Sequence, residues 1–295
     1  MAHEQPANLG DLVQSVLGPI LDGTASDAAD DVIPTGFDNL DEPLGGGLRT
    51  GQLSVIAGVP GAGASVLALD VARQAALSQG IRTAVITTDS SVRETTTRVI
   101  AATSGVPVHG IRRGRLTEAE RGKLSESREQ LASASFWFES TLGAEDPLRE
   151  TVGLVRSMME TLDIRLVVVD GTSQVEPHLR DLVRGLRVLA HKNDAAVMLV
   201  SAALMPRQAR TRLPRLEDLR DYEAVADLFD LIMLVHREEM FDPACVGGEA
   251  DVVVAKHRYG ARCIVPFGFQ GHLSRFVSWP ASSRPIFESK ESCGN

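Results

Sequence analysis

The sequence predicts an α/β fold in which a mostly parallel central sheet is flanked by helices and continues into C-terminal antiparallel strands. Two observations support this prediction. From Ile33 onward, short apolar runs of β-type residues alternate with segments of helical periodicity, a pattern typical of parallel sheets. After residue 230 the apolar runs follow one another across short turns, which is typical of antiparallel strands. A chain of 295 residues with 43% hydrophobic content can bury the core of such a fold.

Apolar runs and helical periodicity place the individual elements. The strands predicted for the parallel part are residues 53–57, 83–88, 136–138, 166–170 and 196–201. The helices predicted between them are residues 65–79, 91–103, 117–133, 147–161 and 178–193. The antiparallel strands predicted near the C terminus are residues 231–235, 250–256, 262–267 and 274–277.

The sequence divides into a main domain and two terminal segments. Residues 8–22 carry apolar side chains on one face at helical spacing, although Gly18-Pro19 would kink or end that helix. An acidic, Ala-rich stretch follows, so residues 1–32 are predicted to be an amphipathic linker helix and a flexible linker. This helix could pack on its own domain or on a neighbouring subunit, and the sequence leaves both open. Residues 33–277 are then the main domain, and the polar residues 278–295 are a flexible tail.

Composition narrows the class of protein. The net charge of −9 argues against a protein that coats nucleic acid indiscriminately, but it is compatible with a local basic surface. The three cysteines are odd in number and widely scattered, which argues against a disulfide framework or a zinc site and predicts a reducing cytoplasm. No apolar run approaches the roughly 20 residues of a membrane-spanning helix, so no membrane partner is predicted.

The segment Gly58-Val59-Pro60-Gly61-Ala62-Gly63-Ala64-Ser65 predicts a phosphate-binding loop. It lies between an apolar strand and an apolar-faced helix, which is the context of the pattern G-x-x-x-x-G-K-[S/T]. Glycines let backbone N–H groups surround a phosphate, and the helix N terminus adds partial positive charge. However, Ala64 stands where the pattern has the lysine that reaches the β- and γ-phosphates. A replacement cation must therefore arrive by folding or from another subunit.

Two carboxylates follow predicted strands and could complete the site. Asp170 ends the apolar run 166–170, where a carboxylate can hold Mg²⁺ through water while the hydroxyl of Ser65 ligates it directly. Asp89 follows the strand 83–88, which we expect to lie beside the strand that enters the phosphate loop. A carboxylate there can polarise an attacking water. Asp89 or Ser90 could instead cap the next helix at its N terminus, and both roles can hold together.

Further motifs are spread over roughly residues 33–277. They are residues 35–41, 46–48, 51–53, 111–116, 218–221 and 230–233, and the segments Lys256-His257-Arg258-Tyr259-Gly260, Phe269-Gln270-Gly271 and Ser274-Arg275-Phe276. Together with the phosphate loop, they resemble the C-terminal motor domain of the DnaB-type replicative DNA helicases. This resemblance implies a RecA-like P-loop NTPase fold, ATP and Mg²⁺ as cofactors, single-stranded DNA as a partner, and a hexameric ring. It also makes segment 8–22 similar to the linker helix that packs on the adjacent subunit of that ring.

The resemblance implies a role for each matching residue. The residues that would surround the triphosphate are Gly58, Pro60, Gly61, Ala62, Gly63, Ala64 and Ser65. Ser65 and Asp170 would hold Mg²⁺, and Asp89 stands where the family has its catalytic Glu. Lys256 and Arg258 would form a trans-acting pair that reaches the γ-phosphate bound in the neighbouring subunit. A solvated hairpin tip is the alternative for these two residues.

A basic segment lies where the family lines its central channel with DNA-holding loops. Arginines there neutralise backbone phosphates without reading sequence. The arginines expected to contact DNA are Arg207, Arg210, Arg212, Arg215 and Arg220. A solvated basic loop is the alternative.

The sequence also departs from the family pattern at five places. They are Ala64 for Lys, Asp89 for Glu, Ser201-Ala202 for a Ser-Gln sensor pair, Gly171-Thr172-Ser173 for Tyr-Leu-Gln, and Glu223 near a Gly that approaches DNA. These departures cluster at the γ-phosphate and DNA sites, whereas the pattern that determines the fold is kept. Such a distribution is expected when packing is retained and catalysis relaxes.

Three hypotheses follow. The chain could be a pseudo-ATPase that binds ATP and Mg²⁺, even if both only weakly, and completes the site of an intact helicase in a homo- or hetero-oligomeric ring. It could instead be an active ATP-dependent helicase that uses a substitute cation. A third hypothesis is a scaffold or regulator that keeps the fold without using nucleotide.

Overall fold

The computed structural model describes residues 31–175, 178–202, 213–219, 225–242, 245 and 247–279, together with Asn8, Leu9, Val13, Leu17, Leu21 and Asp22. Its seven helices in these ranges are α1 (Asp38–Leu44), α2 (Ala64–Ser78), α3 (Val92–Ser104), α4 (Val108–Arg113), α5 (Glu118–Ser133), α6 (Pro147–Leu162) and α7 (Leu179–Lys192). The strands of the described residues are β1 (Val32–Ile33), β2 (Leu48–Arg49), β3 (Leu53–Gly58), β4 (Thr83–Thr87), β5 (Phe136–Ser140), β6 (Leu166–Asp170), β7 (Ala196–Ala202), β8 (Leu231–His236), β9 (Glu249–His257), β10 (Cys263–Gln270) and β11 (Arg275–Ser278).

Nine of these strands form one sheet, in the order β11-β10-β9-β8-β3-β7-β6-β4-β5. The six strands from β8 to β5 run parallel to one another, whereas β9 pairs antiparallel with β8, and β10 and β11 continue the antiparallel pairing. The predicted α/β class, the mostly parallel sheet and the antiparallel C-terminal strands are confirmed. The helices flank this sheet, and the chain enters it through the small antiparallel pair β1 and β2.

One prediction about the sheet is wrong. The strand before Asp89 does not lie beside the strand that enters the phosphate loop, because β7 and β8 flank β3 and β4 pairs with β5 and β6. The sequence could not reveal this order, since β3, β4 and β6 are all largely apolar and are buried throughout their length. Asp89 therefore lies next to the loop that follows Asp170.

Both faces of the sheet are covered. Along β3, Leu53, Val55 and Ala57 belong to one hydrophobic core cluster, whereas Ile56 belongs to the other. Helix α2 packs on one face through residues such as Leu67 and Val71, and α7 packs on the other through residues such as Leu182 and Leu186. This two-sided burial explains why the parallel strands are continuous apolar runs.

The described residues of the N-terminal segment expose a row of four apolar side chains, which we call the uncovered stripe. Leu9, Val13, Leu17 and Leu21 are helical and follow one another at four-residue spacing. Their exposed fractions are 74%, 44%, 45% and 79%, so the domain does not bury them. No helix among the described ranges is long and apolar enough to cross a membrane. Most of the predicted tail, residues 280–295, lies outside the described residues.

Candidate functional site

The phosphate loop joins β3 to α2 at the carboxyl edge of the parallel strands. Gly63 precedes the first residue of α2 with a φ of 107°, and a Cβ there would lie 3.1 Å from ring carbons of Phe269 and Phe276. Only glycine meets both the backbone conformation and this close approach. Within the loop, the N–H of Ala62 donates to the carbonyl of Val59 over 2.9 Å. The loop therefore turns tightly between β3 and α2.

Ala64 begins α2 as a buried residue of the hydrophobic core. Its methyl group supplies no charge toward the loop. Within the loop and α2 themselves, the remaining attraction for an anion comes from the backbone N–H groups at the start of α2 and from the helix dipole. The loop can thus surround a phosphate, but Ala64 cannot neutralise one.

Asp170 ends β6 and meets the phosphate loop. Its carboxylate is buried and lies close to the hydroxyl of Ser65. Burial raises the pKa of Asp170, and the nearby negative charge of Asp89 adds to this, while the Ser65 hydroxyl and the positive charge of Arg98 act in the opposite direction. A buried carboxylate with too little positive charge around it suits a divalent cation. The structure therefore brings together the two residues predicted to hold Mg²⁺.

Asp89 lies in the loop after β4, directly against the loop after β6. Its carboxylate accepts hydrogen bonds from the hydroxyls of Ser173 at 2.5 Å and Thr88 at 3.0 Å. Gly171 has a φ of 107°, and a Cβ there would overlap the carboxylate of Asp89. The short carboxylate is thus held by hydroxyl groups and by close contact with a glycine. Ser173 and Gly171 both stand at positions where the sequence departs from the family pattern.

The alternative role for Asp89 or Ser90 as a helix cap is wrong. The N-cap of α3 is Ser91, whose hydroxyl accepts a hydrogen bond from the N–H of Glu94 at 3.2 Å. Local sequence cannot separate adjacent capping candidates, because the cap is decided by where the backbone leaves the extended conformation. Asp89 is therefore free of that task and faces Gly171 and Ser173.

Lys256 and Arg258 lie at the opposite edge of the sheet from their own phosphate loop. In the register of the strands, Leu231 pairs with both Ser54 and His257, whereas Gly58 pairs with Val235. Leu231 and Val235 are four residues apart along β8, so these two ends of the strand are separated by about 13 Å. These two cations therefore do not reach the phosphate loop of their own chain.

Both cations have partners within the chain. The ammonium group of Lys256 donates to the carbonyl of Ala226 over 2.9 Å. The guanidinium of Arg258 is paired with the buried carboxylate of Asp230 over 3.0 Å, while 53% of its side chain stays exposed. The same carboxylate accepts the N–H of Leu53 at the start of β3. The hairpin end is therefore anchored, which differs from a fully solvated tip.

The predicted DNA-contacting segment is described only in part. Arg215 is exposed, and its guanidinium lies 3.6 Å from the carboxylate of Glu217. The other predicted residues, Arg207, Arg210, Arg212 and Arg220, and also Glu223, lie outside the described residues. At the sensor position, where the sequence departs from the family pattern, Ser201 is buried with its hydroxyl 3.2 Å from that of Thr172.

Sequence reasoning missed Arg237, which contacts the phosphate loop. Its guanidinium donates to the carbonyl of Gly61 over 2.9 Å and pairs with the carboxylate of Glu239. Burial raises the pKa of Glu239, but hydrogen bonds from Arg237 and from the N–H of Gly248 outweigh it and hold the pKa below its usual value. The sequence shows Arg237 directly after the predicted strand 231–235 and His236. That position indicates a contact with the phosphate loop only once β8 is known to pair with β3.

Comparison with known proteins identifies the family. Residues 32–278 match the family model described as the DnaB-like helicase C terminal domain. The replicative DNA helicase DnaB of Leifsonia xyli subsp. xyli (strain CTCB07) is 30% identical over 256 residues, which is 83% of this chain and 55% of that relative. The chain thus spans about half the length of that relative.

Two solved structures share the fold. One is an ATPase domain that superimposes with a TM-score of 0.79 at 20% identity, over 94% of this chain and 100% of its own. The other is a DnaB-like replicative helicase, whose structure was solved with a study of its interactions with primase. It superimposes with a TM-score of 0.77 at 20% identity, over 94% of this chain and 68% of its own. With its RecA-like sheet and its family match over residues 32–278, this chain belongs to the DnaB-like helicase C-terminal domain family.

Proposed function

We propose that this chain is a RecA-fold subunit of DNA replication that binds ATP, Mg²⁺ and single-stranded DNA but hydrolyses ATP weakly or not at all by itself. It acts in a ring by completing the site of a neighbouring subunit, in the reducing cytoplasm. One observation carries this proposal. The phosphate loop keeps its glycine geometry and its Ser65–Asp170 contact, yet it has Ala64 at the position of the lysine.

The expected loss of turnover is large. Removing one preorganised charge that is aimed at transition-state oxygens costs roughly 10²–10³ in rate. The shorter side chain of Asp89 moves its carboxylate by about 1 Å, which can cost on the order of another 10². The two losses act on one reacting unit and need not multiply. Hydrolysis by the natural chain should therefore be slow even where nucleotide binds.

The residues that remain suit binding. The N–H groups of the loop and of the first turn of α2 would bind the phosphates, and Ser65 and Asp170 would hold Mg²⁺, whose charge offsets that of the triphosphate when it is bound. The contact between Ser65 and the buried Asp170 carboxylate supports this assignment. Asp89 would orient the attacking water and accept its proton, while Ser173 fixes the carboxylate.

A role in trans is supported by the opposite edge of the sheet. The strand register places Lys256 and Arg258 too far from the phosphate loop of their own chain to contact a nucleotide bound there. If they contact a nucleotide, it would be one bound to a second subunit. The uncovered stripe of Leu9, Val13, Leu17 and Leu21 supports a helix that docks on a neighbour. The basic segment around Arg215 would hold the DNA backbone in the channel of that ring.

The test is steady-state ATP hydrolysis with Mg²⁺ and single-stranded DNA. The natural chain should be near background, and Ala64→Lys should gain about 10²-fold or more. Ala64→Met serves as the matched control, because it adds a chain of similar length without charge and should gain nothing. Helicase-level turnover by the natural chain would contradict the proposal and favour an active helicase. If neither the natural chain nor Ala64→Lys binds nucleotide, the chain acts as a scaffold.

The contact of Arg237 with the loop favours the active helicase as the second candidate function. In that case a cation that arrives by folding substitutes for the missing lysine in hydrolysis as well as in binding. DNA-stimulated turnover by the natural chain that disappears in Arg237→Gln would establish it.

A further inference from the structure

Arg237 is placed at the phosphate loop by strand pairing. It directly follows β8, and β8 pairs with β3 up to Val235 opposite Gly58. From there its guanidinium group reaches the carbonyl of Gly61, in the middle of the loop, over 2.9 Å. A positive charge therefore stands beside a phosphate loop whose own lysine is absent.

The guanidinium group is held in place on three sides. Two of its nitrogen atoms, Nε and Nη2, donate to one carboxylate oxygen of Glu239. The other oxygen of Glu239 accepts the N–H of Gly248 over 2.7 Å. The guanidinium carbon also lies 3.9 Å from the centre of the Phe269 ring, and only 15% of the Arg237 side chain is exposed. This orientation is fixed before any ligand binds.

We propose that Arg237 supplies, within the same chain, the cation of the phosphate loop and binds the polyphosphate of the nucleotide. This inference rests on the proposed nucleotide binding and names the residue that makes it possible without a lysine at position 64.

The hydrogen bonds of Arg237 fit this role. Nη1 bonds to the neutral carbonyl of Gly61, whereas Nε and Nη2 bond to Glu239. Nη1 can therefore exchange the carbonyl for a phosphate oxygen while the pair with Glu239 stays intact. A guanidinium also presents several N–H donors in a fixed plane and forms directional bonds to phosphate. Because Glu239 neutralises part of this charge, we expect a moderate contribution, about tenfold in affinity or about 1.4 kcal/mol.

The experiment measures the binding of three probes by calorimetry: ATP with Mg²⁺, inorganic tripolyphosphate with Mg²⁺, and adenosine. Arg237→Gln should weaken the binding of ATP and tripolyphosphate about tenfold and leave the binding of adenosine unchanged. Arg237→Lys should recover part of the loss, and the loss should shrink as salt is raised. The matched control is Arg82→Gln, since Arg82 is an exposed arginine that bonds to the carbonyl of Leu162 away from the loop.

A second variant tests the inference with the opposite sign. Glu239→Gln removes the carboxylate that neutralises Arg237, so it should tighten tripolyphosphate binding by about threefold, an estimate for one partly exposed charge. This gain cannot arise from misfolding, which would only weaken binding.

The outcomes separate this inference from the proposed function. If the natural chain binds ATP and Arg237→Gln binds it equally well, the inference is overturned while nucleotide binding stands. A loss confined to ATP and adenosine, with tripolyphosphate unaffected, also overturns it and places the guanidinium against the base. If the natural chain binds none of the probes, both proposals fail.

Discussion

The carboxyl edge of the parallel strands carries the phosphate loop, Asp170 and Asp89, whereas the opposite edge carries Lys256 and Arg258. At the first edge the position of the loop lysine is an alanine, and the buried Asp170 carboxylate has its pKa raised by burial. At the second edge the two cations are present, and Arg258 is paired with the buried Asp230. At the first edge the residues at positions 64 and 89 differ from the family pattern while Ser65 and Asp170 match it, and at the second edge both cations match it.

Under the proposed function, this difference would let a subunit contribute to a ring without turning over ATP itself. In the proposed ring, each site would take its phosphate loop from one subunit and its cation pair from the next. The chain offers an altered version of the first and an unaltered version of the second. The largest effects are therefore expected where the two edges are tested together.

The first and largest prediction uses two kinds of chain, one with a lysine at position 64 but no Arg258, and one with Arg258 but no lysine at position 64. Adding Arg258→Ala to Ala64→Lys should return ATP hydrolysis to background, a loss of about 10²-fold or more, because in the proposed ring the neighbour's Arg258 would stabilise transition-state charge. Mixing this double variant with the natural chain should restore part of the activity, since the natural chain supplies Arg258. Phosphate release measured over a series of mixing ratios checks both statements.

The control for that experiment is Arg262→Ala, which removes an exposed arginine from the same turn between β9 and β10. It should leave the activity of Ala64→Lys unchanged. Activity of the double variant by itself would show that Arg258 plays no part in hydrolysis. Restoration on mixing would also show that the double variant is folded.

The second prediction concerns the contact between Asp89 and Gly171. Gly171→Ala should lower the free energy of unfolding by about 1–3 kcal/mol, because the residue has a positive φ and its Cβ would overlap the Asp89 carboxylate. Gly122→Ala is the matched control in α5, where no atom lies within 4 Å of the added Cβ, and it should stabilise by about 0.5–1 kcal/mol. Denaturant unfolding of both variants checks this, and equal effects would contradict the close contact.

The third and smallest prediction compares one histidine at each edge. Burial lowers the pKa of His236 at the end of β8, and burial together with the positive charge of Arg49 lowers the pKa of His257 at the end of β9. The unfolded chain then binds more protons below the ordinary histidine pKa of about 6.5, so stability should fall as the pH drops from there toward the folded values. His236→Phe should flatten this dependence more than His257→Phe, because His236 is the more buried of the two. The check is the melting temperature measured in one buffer series between about pH 5 and pH 8, the range in which histidine titrates. If His236→Phe leaves the dependence of melting temperature on pH unchanged, the prediction is wrong.

Much of the fold could be predicted from the sequence because its strands are continuous apolar runs. The predicted strand 166–170 coincides with β6, and 53–57 falls one residue short of β3. Helix α4 was missed because six residues are too few to show helical periodicity. The order of the strands was also missed, since equal burial leaves no local mark of which strands are neighbours.

The site residues that could be predicted from the sequence are those marked by a local pattern. The glycines of the phosphate loop, Ser65 and the carboxylate after β6 follow patterns of spacing and of strand ends. Arg237 has no such pattern, because its importance depends on the pairing of β8 with β3. The distance of Lys256 and Arg258 from their own loop likewise follows from strand register.

The sequence by itself determined the class of fold, the shape of the phosphate loop and the absence of a charged side chain at position 64. These features depend on residues close together along the chain, through periodicity, glycine conformation and side-chain chemistry. Tertiary structure alone decided that Arg237 stands beside the loop and that Lys256 and Arg258 stand at the far edge. The physical reason is that strand order and register are set by burial and hydrogen bonding between segments far apart in sequence, which no local pattern records.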